Sequence, residues 1–164
     1  VIELLDLAKI EANKKILMKE ENLSKLTENE ILTYESLFYE KKIKLKYNIK
    51  KNIKYTCNGD LIRQLLGILI DNSIKHTNEN GNVTVNLYKS NKDIILEVKN
   101  DGDEIKKEDE QKIFERFYKI DESRNRNENR YGLGLAIAKD IVEKHNAKIS
   151  ANSKKGITTF KVTF

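Results

Sequence analysis

The spacing of apolar residues divides the chain into predicted helices and strands. Helical spacing predicts a long central helix from Leu61 to about Thr77, a later helix at 133–145, and a helix that starts at a cap on Asn22 or Ser24 and runs to about Lys41. Alternating apolar and polar residues, bounded by turn residues, predict the strands. These strands are expected at 43–49, 54–57, 83–89, 94–100, 148–153 and 157–164.

The order of these elements predicts the fold class. Residues 1 to about 11 carry an apolar helical face but are too few for a stable helix of their own, so we interpret 1–12 as the end of a longer helix. Residues 13–164 then form one domain with one core. We expect an α+β fold, a two-layer α/β sandwich in which a mixed, mostly antiparallel sheet is covered by three helices on one face.

Composition narrows the class of protein. The chain is 38% hydrophobic and 35% charged and has no proline, which indicates one ordered domain rather than a Pro-rich linker. Cys57 is the only cysteine, so no intrachain disulfide is possible, and a lone thiol favours a reducing, cytoplasmic location. Because the chain opens with Val1 and no methionine, we expect it to be a piece of a longer protein.

Charge and hydropathy bear on the partners. The net charge is +5, and lysines concentrate between Lys41 and Lys54. No aromatic stacking platform accompanies them, so we interpret them as a solvated face and expect no nucleic-acid partner. No apolar run approaches the roughly 20 residues that a membrane span requires. Any membrane contact would therefore come from other parts of a longer protein.

Three polar residues at the end of the central helix suggest chemistry. Asn72, Lys75 and His76 are spaced i, i+3 and i+4, so they project from one side of the helix while leucines and isoleucines occupy the other. An amide oxygen, an ammonium and an imidazole suit a hydrated Mg²⁺ ion with phosphates, because Mg²⁺ takes few protein ligands. Taken alone, the same triplet is more often only a solvated helix end.

Four motifs together resemble a known family. DNSIKHT at 71–77, VKNDGDEI at 98–105, IFERFY at 113–118 and YGLGLAIAKDIVEKH at 131–145 resemble the N box, first glycine box, F box and second glycine box of the nucleotide-binding domain shared by histidine kinases, gyrases and the heat-shock chaperone of ninety kilodaltons. They occur in family order, and the match is with the histidine-kinase branch. The opening LLDLAKIEA resembles the end of the dimerisation helix that precedes this Bergerat-type ATP-binding domain.

The resemblance implies a role for each matching residue. Asn72 matches the Mg²⁺ ligand, Lys75 a phosphate contact, and His76 a position near the ribose and phosphates. Lys119 and Arg124 lie in the family's ATP lid, where they would neutralise phosphate charge during catalysis, with Arg126 and Arg130 as weaker candidates. The remaining nucleotide-binding positions implied by the resemblance are Asn100, Gly102, Ile105, Tyr118, Gly132, Leu133, Gly134, Leu135 and Thr159.

Two residues of the first glycine box depart from the family pattern. The first glycine box has Asn100 where the family has an aspartate that accepts a hydrogen bond from the adenine amino group, and an asparagine oxygen still accepts that bond. Glu104 stands where the family has a glycine. If that position needs a positive φ, a glutamate there is strained, so we expect this loop to take a conformation of its own.

The function implied by the resemblance is that of the catalytic domain of a sensor histidine kinase. Such a domain uses ATP and Mg²⁺, transfers the γ-phosphate to a histidine on upstream dimerisation helices, and belongs to a homodimeric parent, usually a cell-membrane sensor, that signals to a response regulator. Neither His76 nor His145 lies in a phosphoacceptor motif, so this chain is not expected to phosphorylate itself.

Two other functions stay open at this point. One is a degenerate nucleotide-binding scaffold without phosphotransfer, motivated by Asn100 and Glu104. The other is an ATPase of the gyrase or mismatch-repair type, for which Asp71 is the nearest candidate to activate water.

Overall fold

The computed structural model describes residues 16–120 and 132–164. The helix predicted at 1–12 lies outside these residues. The described part contains seven strands, four α-helices and a 3₁₀ helix at Lys112–Phe114. In chain order the strands and α-helices are β1 (Lys19–Asn22), α1 (Leu23–Thr33), α2 (Glu35–Glu40), β2 (Lys44–Ile49), β3 (Lys54–Cys57), α3 (Gly59–His76), β4 (Asn82–Ser90), β5 (Asp93–Asp101), α4 (Gly134–Lys144), β6 (Lys148–Lys154) and β7 (Ile157–Thr163).

Five strands form the main sheet, in the order β2-β4-β5-β7-β6. The β2–β4 pair is parallel and the other three pairs are antiparallel, so the predicted mixed, mostly antiparallel sheet is confirmed. β1 and β3 form a separate antiparallel pair. The sequence did not predict β1, because its residues KEEN are all polar and show no alternation.

The helix predicted to start at Asn22 is broken into two. Asn22 is its cap, and the side chain accepts a hydrogen bond from the backbone N of Lys25. The break falls at Tyr34, whose backbone N–H bonds to Ile31 and Leu32 and ends α1 before α2 begins. The fold is the expected α+β sandwich, with three helices of eleven or more residues and a short fourth that results from this break.

The core lies between the sheet and the helices. Side chains at alternate strand positions, such as Val83, Val85 and Leu87 of β4, are almost fully buried. They meet the apolar face of α3, where Leu65, Leu66 and Leu69 have no exposed surface, and the buried face of α4. The opposite sheet face carries mostly polar side chains, such as Asn86, Glu97 and Lys99. Helices cover only one face of the sheet, and successive side chains of a strand alternate between the two faces. The face of the first residue in each strand therefore determines the face of every later residue.

Candidate functional site

The last turn of α3 meets the end of β5. Thr77, the residue after α3, forms an isolated antiparallel bridge with Gly102, which follows β5. A Cβ on Gly102 would overlap the carbonyl oxygen of His76, so only glycine fits this approach. Gly102 therefore brings Asn72, Lys75 and His76 to the end of the sheet where β5 finishes, which we call the Asn100 end.

Two buried side chains at this junction have unused hydrogen-bonding atoms. Asn100, the penultimate residue of β5, is only 2% exposed and Ser73 of α3 is fully buried. Asn100 Nδ2 donates to the Asp101 carbonyl at 3.2 Å, which orients the amide and leaves Oδ1 as a free acceptor. Neither Asn100 Oδ1 nor Ser73 Oγ has a hydrogen-bond partner among the described residues. Since buried polar atoms are normally paired, two orphans in one region indicate a site that a ligand completes.

Hydroxyl groups tie the loop after Gly102 to the neighbouring strands. Thr158 of β7 lies opposite Asn100 and donates weakly to the Asp103 carbonyl at 3.4 Å. Its hydroxyl is 2.6 Å from that of Ser153, which in turn accepts from the Ile105 backbone N at 2.8 Å. This network holds Ile105, one of the predicted binding residues, at the Asn100 end.

Glu104 does not strain the loop. The φ angle of Glu104 is not positive, so the strain expected for a glutamate at a glycine position does not arise. Instead its carboxylate accepts a hydrogen bond from the backbone N of Gly156 at 2.5 Å, in the β6–β7 turn. Glu104 thus helps to fix the loop by this bond to the β6–β7 turn.

Thr159 is not brought to this group of residues. Strand alternation places buried Thr158 on the face covered by helices, together with Asn100, and half-exposed Thr159 on the polar face beside Lys99. The strand register therefore favours Thr158, and the Thr159 assignment stays a prediction, because two adjacent threonines in the sequence give no sign of which one faces inward. Thr158 replaces Thr159 in the site that we describe.

The start of α4 completes the arrangement. Leu133 precedes the helix and is fully buried, which anchors the turn, while Gly134 lies beside Ile68 of α3 and Leu135 packs partly against the core. Gly132 has φ +70, and a Cβ there would lie 3.1 Å from the Tyr118 carbonyl. None of the described side chains caps the first turn of α4, so its backbone N–H groups are available to an anion.

The segment before residue 121 reaches the same glycine. Phe117 N donates to the Gly132 carbonyl at 3.2 Å, which sets Tyr118 and Lys119 beside the start of α4. The Tyr118 hydroxyl donates to Asp109 Oδ1 at 2.6 Å, and this hydrogen bond raises the pKa of Tyr118 to about 12. The hydroxyl proton is thus engaged by Asp109, which leaves the ring and the acceptor side of the oxygen of Tyr118 for a ligand. Arg124, Arg126 and Arg130 lie outside the described residues.

The donor atoms limit which metal this end could hold. Asn72 and Lys75 are half-buried and His76 is exposed. Within 16–120 and 132–164, no three or more His, Cys, Asp or Glu side chains are grouped so that they could hold a metal ion. Water molecules or a bound anion would supply most of the ligands of a metal ion here. This coordination fits Mg²⁺ and not a structural Zn²⁺ site. A separate shallow depression, lined by Asn48, Lys50, Asn86 and Tyr88 among others, lies at the opposite end of β4 and holds none of these residues.

Comparison with protein families identifies the family of this chain. Residues 57–164, well over half of the chain, match the family described as histidine kinase-, DNA gyrase B- and HSP90-like ATPases. The chain belongs to this family. The matched residues begin just before α3 and include all of the residues gathered at the Asn100 end.

Relatives within the ATPase family are sensor kinases. The chain is 36% identical over 166 residues to the signal transduction histidine-protein kinase ArlS of Staphylococcus haemolyticus, an alignment that covers 100% of the chain and 36% of ArlS. It is 35% identical to the sensor protein DltS of Streptococcus agalactiae, covering 93% of the chain and 39% of that protein. The chain therefore spans little more than a third of the length of these relatives.

A solved structure confirms the fold of this ATPase-family domain. The nucleotide-free catalytic domain of the histidine kinase ThkA superposes with a TM-score of 0.79 at 23% identity, covering 90% of the chain and 95% of ThkA's domain. In a second structure ThkA is in complex with the response regulator TrrA, with a TM-score of 0.84 at 21% identity, covering 99% of the chain and 46% of that ThkA chain.

Sequence reasoning missed two residues of this site, Ser73 and Thr158. Ser73 lies between Asn72 and Ile74, on the side of α3 that turns toward the sheet. A helical projection of the sequence could have placed it there, because it continues the buried series of Ile62, Leu66 and Leu69. Thr158 could not be separated from Thr159 without the strand register.

Proposed function

We propose that this chain is the ATP-binding catalytic domain of a sensor histidine kinase, which transfers the γ-phosphate of ATP to a histidine on upstream dimerisation helices. The observation that carries the proposal is the buried, unpaired acceptor Asn100 Oδ1, close to the junction of α3 and β5. A buried acceptor without a partner costs about 1–3 kcal/mol, and a ligand that donates to it recovers that cost.

Adenine is the base that this acceptor fits. Its exocyclic amino group donates hydrogen bonds, and Asn100 Oδ1 accepts one without the charge of the family's aspartate. Because Nδ2 is held by the Asp101 carbonyl, the amide keeps its oxygen toward the site. The hydroxyls of Ser73 and Thr158 lie on the same inner side of the fold and offer further polar contacts to the base or to a bridging water.

The phosphates would lie at the start of α4. There the backbone N–H groups from Gly132 to Leu135 supply donors and the positive end of the helix dipole. Lys75 and Lys119, together with Arg124, would neutralise charge, and His76 would contact the ribose or phosphates. Asn72 would hold Mg²⁺, and the bound ion would supply positive charge that screens the phosphates. The contribution of the protein is positioning and charge neutralisation.

The partners follow from this function. A histidine-bearing dimerisation helix would receive the phosphoryl group in a homodimeric parent, and a response regulator would take it onward, as the ThkA structure in complex with TrrA suggests. Since ATP is a cytoplasmic substrate, the domain would work in the cytoplasm of a membrane-bound sensor. No helix in the described ranges is long and apolar enough to cross a bilayer.

Calorimetric titration with MgATP tests nucleotide binding. We expect the unaltered chain to bind, and Asn72→Ala to weaken binding in Mg²⁺ more than in its absence, because only the metal contact is lost. Asn48→Ala is the matched control, since Asn48 lies on β2 and bonds to Asn86 on the polar face. Equal Mg²⁺ dependence in Asn72→Ala and the unaltered chain would contradict the assignment. No binding at millimolar ATP would instead favour a degenerate scaffold.

Phosphotransfer needs a longer protein that includes the dimerisation helices. Incubated with γ-labelled ATP, that protein should acquire acid-labile phosphate, whereas the 164-residue chain should not. Steady ATP hydrolysis by the short chain that disappears in Asp71→Asn would point to a gyrase-type ATPase.

A further inference from the structure

One asparagine connects the chain that enters the domain with both helices that carry the proposed site. Asn58 precedes α3, and its Oδ1 accepts from the backbone N of Leu61 at 3.0 Å, which caps the helix. Its Nδ2 donates to the Leu17 carbonyl at 3.0 Å, just before β1. Its backbone N donates to His145 Nε2 at 3.1 Å, just after α4. A single residue thus bonds to three separate segments.

His145 is suited to hold this position rigidly. It is only 6% exposed, and its Nδ1 is 2.7 Å from the Ile141 carbonyl. Because a carbonyl can only accept, Nδ1 must carry the proton, and Nε2 is left as the acceptor that Asn58 requires. The His145 carbonyl also accepts from the Tyr55 hydroxyl at 3.0 Å, which adds a bond to β3.

α3 and α4 cover nearly the same length between the Asn58–His145 contact and the proposed site. From Gly59 to Ile68 α3 rises about 14 Å, and from Gly134 to Lys144 α4 rises about 15 Å. Gly134 lies beside Ile68, and His145 lies beside Asn58, so the helices run antiparallel and meet at both ends of this stretch. A shift at the Asn58 end therefore changes the position of Asn72 relative to the start of α4.

The entering chain can impose such a shift. β1 pairs with β3 from Lys19 to Asn22, and Leu23 N bonds to the Ile53 carbonyl at 2.8 Å, so this segment is fastened to the domain and a displacement of it is transmitted to the residues that it contacts. The Leu17 carbonyl lies directly before that pairing and contacts Asn58 itself. A displacement of this segment therefore reaches the first turn of α3 directly through the Leu17–Asn58 hydrogen bond, and also through β3, where Lys19 pairs with Cys57, the residue before Asn58.

On this basis we propose that Asn58 is a positioning residue that couples the segment around Leu17 to nucleotide affinity, through α3 and, by way of His145, through α4. The inference rests on the proposed nucleotide-binding function. Asn58 touches no part of the site and acts only through the helices. By reciprocity, bound nucleotide must stabilise the Leu17–Asn58 contact by the same factor by which the contact strengthens nucleotide binding.

The substitution Asn58→Asp separates coupling from folding. Aspartate keeps the oxygen that caps α3 and suits the helix dipole, but it cannot donate to the Leu17 carbonyl. Asn22→Asp is the matched control, since Asn22 makes the same kind of cap on α1 and does not contact α3 through its side chain. Both variants are made in the 164-residue chain, and affinity for MgATP is measured by calorimetry, with the melting temperature recorded alongside.

We expect Asn58→Asp to weaken MgATP affinity about five-fold or more, with a melting temperature no lower than that of Asn22→Asp. Hydrogen exchange at the amides of β1 should slow on nucleotide binding in the unaltered chain and in Asn22→Asp but not in Asn58→Asp. Unchanged affinity in Asn58→Asp, or an equal loss in both variants, overturns the coupling and leaves the nucleotide site intact. Failure of the unaltered chain to bind MgATP overturns the proposed function and the coupling with it.

Discussion

The carbonyl oxygen of His76 occupies the space that a side chain on Gly102 would need. This close contact holds the end of α3 against the loop after β5. It therefore sets the distance between Asn72, the proposed metal ligand, and Asn100, the proposed contact to the base. The fold therefore requires glycine at position 102, whether or not this residue also contacts a ligand.

Gly102→Ala should therefore separate α3 from β5. We expect the free energy of unfolding to fall by roughly 1 to 3 kcal/mol, because the added methyl group overlaps backbone that cannot move alone, and we expect MgATP affinity to fall with it. Urea unfolding and calorimetric titration measure the two effects. The control is Gly67→Ala, where the added Cβ meets the hydroxyl of Tyr34, the end of a side chain. Full affinity in Gly102→Ala would show that the close approach does not position the site.

Asn100→Ala should lower binding without lowering stability. Removing a buried oxygen that has no partner relieves an unfavourable burial, and this offsets the loss of the 3.2 Å bond to the Asp101 carbonyl and of side-chain packing. We expect the free energy of unfolding to change by less than about 1 kcal/mol while MgATP affinity falls about ten-fold. A large loss of stability with intact affinity would mean that Asn100 is a structural residue only.

Thr158 and Thr159 offer a paired test of which sheet face carries the site. Thr158→Val removes a hydroxyl that bonds toward the Gly102 loop, so MgATP affinity should fall about three- to ten-fold. Thr159→Val changes a residue on the polar face and should leave affinity unaltered. Calorimetric titrations of the two variants with MgATP test this. A larger loss of affinity in Thr159→Val than in Thr158→Val would support the prediction of Thr159 made from the sequence.

Cys57 should react with thiol reagents only after unfolding. It is fully buried, and burial raises the pKa of its thiol to about 11, so little thiolate exists in the native protein near neutral pH. We expect alkylation at about pH 8 to be slow in native protein and fast in urea, with Ser90→Cys on the exposed β4–β5 turn as a reactive control. Rapid native labelling of Cys57 would contradict its burial.

The same shift predicts a dependence of stability on pH. The folded thiol pKa lies above its usual value of 9.0, so the unfolded state loses this proton first and the thiol's contribution is fully present below that value. The free energy of unfolding should then decline as the pH rises from about 9 to about 11, and this decline should be smaller in Cys57→Ala. Equal slopes for the two proteins would argue against a raised pKa.

The sequence by itself determined the elements and the identities of most residues in the proposed site. Local periodicity and capping residues such as Asn22 and Asn58 act over a few residues, so the central helix, the hairpins and the glycine-bounded α4 could be predicted from spacing alone. Motif order then indicated the family. These features depend on neighbours in the chain, which the sequence states directly.

Only the tertiary structure decided the rest. The polar strand β1, the inward choice of Thr158 and the use of Glu104 to bind Gly156 all depend on contacts between residues far apart in the chain. Strand register fixes which alternate residues are buried, and two adjacent threonines give no local pattern from which it can be read, so only the pairing with β5 shows that Thr158 faces inward. For the same reason the bonds that join Leu17, Asn58 and His145 have no signature in the sequence: each residue is ordinary until the fold brings the three together.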